Sequence, residues 1–80
     1  MKEVLNSKAI KAGRVSSGYT QVQAADIIGV SQPTYAAREQ LPKAFTIDEL
    51  EDLFEVFDAD GKRLIQKFVS DIFLLREVKY

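Results

Sequence analysis

Ser31 and Gln32, followed by Pro33, form the segment whose residue types are best suited to chemistry. Either of the first two residues can cap a helix that carries Pro33 in its first turn, where the missing backbone N–H costs nothing. A glutamine amide at such a helix start donates and accepts hydrogen bonds together, which is the pattern that adenine offers in the major groove of DNA. The segment therefore predicts a helix that reads base pairs, with Gln32 as its principal reader.

The outward face of this helix follows from its periodicity. At about 100° per residue, an arc of about 140° contains Gln32, Pro33, Ala36, Ala37 and Gln40. Tyr35 and Ser31 fall on the opposite side, toward the core. The small apolar residues of the arc suit close approach to thymine methyl groups, and Thr34, at its edge, suits a phosphate or a base.

The composition excludes most catalytic chemistry. The chain has no cysteine and no histidine, which removes disulfides, thiol nucleophiles, imidazole bases and the usual zinc ligand sets. Residues 58–61 resemble part of a calcium loop, but aligning Gly61 with the sixth loop position puts Val56 first and Lys67 twelfth, where carboxylates are needed. We expect no metal, no cofactor and no enzymatic activity.

The charges are divided unevenly along the chain. Residues 1–43 carry six basic and three acidic side chains, whereas residues 44–80 carry five basic and nine acidic ones. Because affinity for DNA phosphates comes mainly from lysine and arginine, we expect the partner surface in the first part. No stretch approaches the roughly 20 apolar residues of a membrane span, and the N-terminus lacks a signal-peptide pattern, so we expect a cytoplasmic protein.

Capping signals divide the first half of the chain into three helices. The first is predicted over residues 2–16. Thr20 and Gln23 form a capping box that begins the second helix, and Gly29 ends it, since glycine enters a left-handed turn without steric cost. The third is the helix that begins at Ser31 or Gln32.

Two further helices are predicted in the second half. Residues 41–44 are a connector, and Thr46 and Glu49 form a second capping box. The expected inward side chains of the fourth helix are Ile47, Leu50, Leu53, Phe54 and Phe57. Residues 58–61 are expected to break it, and the last helix is predicted over residues 62–76.

The motifs in the first half resemble those of the lambda-repressor-like and Cro-like (Xre-type) helix-turn-helix family. The resemblance covers residues 8 to about 57, and the residues that carry it are Arg14, Gly18-Tyr19-Thr20-Gln21, Ala25, Gly29-Val30-Ser31 and Glu39. The resemblance implies an all-α fold of about five helices, a structural ion pair between Arg14 and Glu39, and a phosphate contact by Gln21. The chain departs from the family at Ala24, at Arg38 and in lacking a glycine after the closing glutamate.

Two basic residues near the end of the third helix have alternative roles. By its helical angle Arg38 lies on the inward side, so a partly buried pair with an acid and a phosphate contact are both open. Lys43 is a solvated charge or a contact to the DNA backbone. The predicted DNA-binding residues are Gln21, Ser31, Gln32, Pro33, Thr34, Ala36, Ala37, Arg38 and Lys43.

The whole chain is expected to form a single domain, with a helix-turn-helix core at 1–57 and a C-terminal helical extension at 58–80. The apolar stripe of the extension packs inside the domain or forms a dimer contact, and it contains Ile65, Phe68, Val69, Ile72 and Phe73. Residues after Leu75 alternate in polarity, which leaves a strand across a dimer as a further alternative.

These observations predict a sequence-specific transcriptional regulator, a repressor of phage or bacterial type that binds a two-fold symmetric DNA operator as a homodimer. One alternative is an antitoxin, which would regulate its own gene through the helix-turn-helix and cover a toxin with its acidic half. Another is a protein-interaction module that has lost DNA binding. Salt separates these alternatives, because operator binding weakens steeply as salt rises and an apolar protein contact does not.

Overall fold

A computed structural model describes the backbone of residues 8–78 and the side chains of residues 8–72. Every regular element in this range is helical, which confirms the predicted all-α class of about five helices. The α-helices are α1 (Ala9–Ser16), α2 (Gln21–Ile28), α3 (Gln32–Gln40), α4 (Ile47–Val56) and α5 (Ala59–Val78), with a short 3₁₀ helix at Pro42–Ala44 between α3 and α4.

The sequence signals for helix ends operate as local chemistry predicts. Thr20 with Gln23, and Thr46 with Glu49, form complete capping boxes at the starts of α2 and α4. Ser31 caps α3 by accepting a hydrogen bond from the Thr34 N–H, which decides between the two candidate caps. Gly29, with φ of 77°, ends α2 in the left-handed conformation.

The predicted bounds of the first and last helices need correction. Lys8 stands at the N-cap of α1, so the helix does not extend over residue 8, and the earlier part of the predicted range lies outside the described residues. Helical structure is not interrupted over the whole of residues 58–61, because α5 begins at Ala59 and already contains Gly61. Asp58 caps this helix by accepting a hydrogen bond from the Gly61 N–H at 2.8 Å. The turn lies at Phe57 and Asp58 instead.

Helix α5 also continues to Val78, so the alternative of a strand after Leu75 is wrong for residues 76–78. No helix within the described range 8–78 is both long enough and apolar enough to cross a membrane.

The most extensive contact between helices of the described residues is that of α1 with α5. Gly13 and Gly61 let these helices approach closely around the buried ring of Phe57. A Cβ on Gly61 would lie 2.8 Å from the Phe57 Cβ and 3.1 Å from the Gly13 carbonyl oxygen. At the edge of the contact, the Ser16 hydroxyl donates to Asp58 Oδ2 and the Asp58 N–H donates to the Ser17 hydroxyl, both at 2.8 Å. The second half of the chain therefore holds α1 in place.

Two expectations for the apolar stripes are corrected by the burial pattern. Ile47 was expected inside, but it is 60% exposed, since it lies about 85° around α4 from the centre of the side that buries Leu50, Leu53 and Phe57. Ile65 and Phe68, for which the sequence left a dimer contact and packing inside the domain open, are 3% and 1% exposed within the chain itself. They belong to its own core and offer no surface to a second copy.

Candidate nucleic-acid interface

Helices α2 and α3 are joined by the three residues Gly29, Val30 and Ser31. The Val30 N–H donates to the Ala25 carbonyl at 3.0 Å, which closes the turn against the end of α2. Ala25 is buried, and its small side chain lets the two helices approach. Tyr35, fully buried, packs its ring edge-on to Phe45 with centroids 5.7 Å apart. The turn and this aromatic contact fix where α3 begins.

A buried ion pair connects α1 to α3. Arg14 Nε donates to Glu39 Oε2 at 2.6 Å, and the two side chains are 10% and 3% exposed. Arg14 Nη1 also donates to the Tyr19 carbonyl at 2.8 Å, so the same guanidinium holds the segment between α1 and α2. The two residues that the family resemblance pairs are thus in direct contact.

The charge state of this pair follows from its surroundings. Burial alone would raise the pKa of Glu39, but the hydrogen bonds from Arg14 and other neighbours outweigh burial and lower its pKa below the ordinary value of 4.5. The Tyr35 hydroxyl is buried near this carboxylate without a hydrogen bond of good geometry. Burial and the neighbouring Glu39 carboxylate raise the pKa of Tyr35, so its hydroxyl stays protonated.

The first residues of α2 and α3 are linked to this pair by a chain of amide hydrogen bonds. Gln21 Nε2 donates to Glu39 Oε1 at 3.1 Å, and Gln32 Nε2 donates to Gln21 Oε1 at 2.7 Å. Both residues were singled out from the sequence, but their contact was not. The sequence feature that points to this contact is a glutamine at the first position of each helix. The contact can be inferred from it only when the packing of the two helices is known.

The exposed face of α3 is rotated relative to the sequence-based arc. Its exposed residues are Pro33, Thr34, Ala37 and Gln40, together with the cap Ser31. Gln32 and Ala36 are half-buried on the flank next to α2, because the buried side is centred on Tyr35 and Glu39. Ser31 was expected to face the core, and it points to solvent because its hydroxyl caps the helix.

The two basic candidates near the end of α3 differ in their surroundings. Arg38 forms an ion pair with Glu49 at the start of α4, which is one of the two roles left open by the sequence. Lys43 lies in the 3₁₀ helix with its side chain exposed. Only the second of these cations has its charge directed to solvent.

The remaining candidates, those predicted for a dimer contact, lie on α5. Val69 and Ile72 on α5 are half-buried and pack against the core, and the side chain of Phe73 is outside the described part. Between α4 and α5 runs a groove of about 410 Å³, lined by Leu50, Glu51, Phe54, Ile65, Gln66, Val69 and Ser70. The groove is lined mainly by apolar side chains of both helices.

Helix α3 begins three residues after Gly29, packs against α2 and exposes one face. This arrangement defines the helix-turn-helix class of DNA-binding domain. The family model described as Helix-turn-helix matches residues 10–62, about two thirds of the chain. The chain belongs to the Xre/lambda-repressor-like helix-turn-helix family, and it is a DNA-binding transcriptional regulator of the Xre type. The sequence gives no significant match to a curated protein or to a solved structure.

Proposed function

We propose that the protein is a sequence-specific repressor that binds a two-fold symmetric operator through α3, with Gln32 as its principal base reader. The observation that carries this proposal is the hydrogen bond from Gln32 to Gln21, itself held by Glu39. The hydrogen bond to Gln21 uses one of the two Nε2 hydrogens of the Gln32 amide. Its second hydrogen and Oε1 are the donor and acceptor that a bidentate contact with adenine requires. The reader is therefore oriented before DNA arrives.

The other predicted residues fit separate parts of a DNA complex. Pro33, Ala36 and Ala37 are small enough for a base edge to approach and suit thymine methyl groups, and Thr34 suits a base or a phosphate. Phosphate contacts are assigned to Gln21, Ser31 and Lys43, since the first two lie at helix starts where backbone N–H groups attract anions. These contacts position the domain, and Gln32 supplies the discrimination.

The proposal is tested by letting the purified protein select duplexes from a random-sequence library. A gel shift with the DNA upstream of its own gene is the second test. Gln32→Ala should relax preference at one base step per half-site, worth roughly 1–3 kcal/mol of discrimination. The matched control is Gln66→Ala, an exposed glutamine on α5. An unchanged preference in Gln32→Ala would show that Gln32 is not a reader, and failure of the unmodified protein to select any sequence would favour an interaction module without DNA binding.

We also propose that the regulator works as a homodimer, because two half-sites multiply a weak single-site affinity. Because Ile65 and Phe68 are buried in the core, we assign the contact to Val69, which lines the groove, and to Ile72 and Phe73, which follow on α5. Val69→Asp should lower the sedimentation coefficient from that of a dimer to that of a monomer. Val15→Asp, on an exposed valine of α1, is the control and should leave the association unchanged.

A second candidate function is that of an antitoxin. The observation that favours it is the row of exposed carboxylates on α4, of which Glu51 lines the groove: Asp48, Glu51, Asp52 and Glu55. Such a surface would suit a partner that is both apolar and basic. A toxin gene directly beside this one is the expected companion, and its absence would remove the support for this role.

A further inference from the structure

Arg38 and Glu49 join the end of the reading helix to the start of the next helix. Arg38 lies in the last turn of α3 and Glu49 in the first turn of α4. Arg38 Nη1 donates to Glu49 Oε2, and the two side chains are 24% and 14% exposed. Each charge also has the sign that its helix end favours, because a helix dipole attracts cations at the C-terminus and anions at the N-terminus.

The Glu49 carboxylate is held by more than Arg38. Its other oxygen, Oε1, accepts the Thr46 N–H at 3.0 Å, and the Glu49 N–H donates to the Thr46 hydroxyl at 3.1 Å. Burial would raise the pKa of Glu49, but the Thr46 backbone hydrogen bond and Arg38 outweigh it and lower the pKa. Arg38 is thus paired with an ionised group that α4 already holds in a fixed position.

Two polar contacts therefore hold α3 from opposite flanks of its exposed face. Gln32 lies on the flank that contacts α2, and Arg38 lies about 120° away around the helix, on the flank that contacts α4. The chain between α3 and α4 is pinned by Pro42 and Phe45, both buried. The buried Arg14–Glu39 pair holds the inward side of α3, and the contacts on its two flanks further restrict its rotation.

We propose that Arg38 is a positioning residue for base reading, which fixes the rotation of α3 through Glu49, and that it is not a phosphate contact. This inference rests on the proposed function, because it assigns to Arg38 the task of aiming Gln32. Its charge is committed to Glu49 within the protein, so transfer to a phosphate would require breaking a partly buried pair and leaving the carboxylate near DNA.

The first experiment compares Arg38→Gln, Glu49→Gln and the double variant by fluorescence anisotropy. The probes are a duplex selected by the unmodified protein and a mixed-sequence duplex. Each single variant should reduce the ratio of the two affinities by roughly 3- to 30-fold, and the double variant should be no worse than either single one. Glu55→Gln, an exposed acid on the same helix, is the matched control and should keep the ratio.

The second experiment is the salt dependence of binding to the mixed-sequence duplex, which reports phosphate contacts without sequence reading. Loss of one such contact reduces the slope of log affinity against log salt by about 0.9. Lys43→Gln should show this reduction, and Arg38→Gln should leave the slope unchanged. A reduced slope in Arg38→Gln would overturn the proposal, because it would mean that Arg38 contacts a phosphate.

A third measurement needs no DNA. Amide hydrogen exchange in the last turn of α3 should become faster by the same factor in Arg38→Gln and Glu49→Gln, and unchanged exchange in both would also overturn the proposal. If the unmodified protein selects no duplex, the proposed function fails instead. The exchange measurement then still decides whether this pair holds α3.

Discussion

The contact between α1 and α5 and the contact between α2 and α3 stabilise this small domain by different means. The first is a close approach of two glycines around the ring of Phe57. The second depends on the polar network of Arg14, Glu39, Gln21 and Gln32. Packing alone fixes the distance between helices, but directional hydrogen bonds also fix the orientation of individual side chains. The polar network therefore orients Gln32, the side chain that we propose reads DNA.

The largest expected effect comes from breaking the ion pair of the polar network. Arg14→Met should reduce the free energy of unfolding by about 3–5 kcal/mol, because it leaves the buried Glu39 carboxylate without its partner. Urea unfolding followed by circular dichroism measures the loss. The double variant Arg14→Met/Glu39→Leu should recover part of it, and a double variant as unstable as the single one would contradict this account.

The glycine contact should respond to a single methyl group. Alanine is the better helix former, so Gly61→Ala in an open helix would stabilise by up to about 1 kcal/mol. Here the added Cβ meets the Phe57 Cβ and the Gly13 carbonyl, and overpacking of this kind costs about 1–3 kcal/mol. We expect net destabilisation in urea unfolding. The exposed Ser70→Ala on the same helix should not destabilise, and a more stable Gly61→Ala would show that the two helices separate easily.

A smaller effect on stability is expected at the start of α3, the helix that we propose reads DNA. Ser31→Ala removes the hydroxyl that caps α3 and should cost about 1 kcal/mol of stability. DNA affinity should fall as well, since the free N–H groups of the first turn lose their order. Ser31→Asp restores a capping acceptor, so it should recover stability while weakening DNA binding through charge repulsion. Recovery of both properties would argue against a phosphate beside Ser31.

The smallest expected effect is the pH dependence of the polar network. Glu39 has a pKa below its ordinary value of 4.5 in the folded protein, so the stability it contributes is present above pH 4.5 and is lost as pH falls through the folded pKa. The urea midpoint should therefore decrease on acidification below pH 4.5. Glu39→Gln should make this decrease shallower, and equal decreases in the two proteins would remove Glu39 as its source.

Local chemistry made much of this fold predictable from the sequence. Thr20, Ser31 and Thr46 cap helices because a hydroxyl satisfies a free N–H wherever such a helix starts, and Gly29 ends α2 for an equally local reason. Gly61 was misread because a glycine inside a helix and a glycine that ends one look the same in sequence. Only the position of α1 distinguishes them.

The candidate site was predictable by residue but not by contact. Gln21 and Gln32 are recognisable as the first residues of two helices, yet their hydrogen bond depends on how those helices pack. The rotation of α3 has the same origin, since the buried Glu39 draws one side of the helix inward. The partner of Arg38 was left open because the angle of one residue on a helix does not say which acid of a later helix meets it.

The bond between Ser16 and Asp58 closes a loop in which the two partners are 42 residues apart. During translation, α1 leaves the ribosome first, but the surface that buries it includes Phe57 and α5, which emerge later. Helix α3 therefore lacks this support until most of the polypeptide has been synthesised. A chain that stops before α5 should bind DNA more weakly than the finished protein.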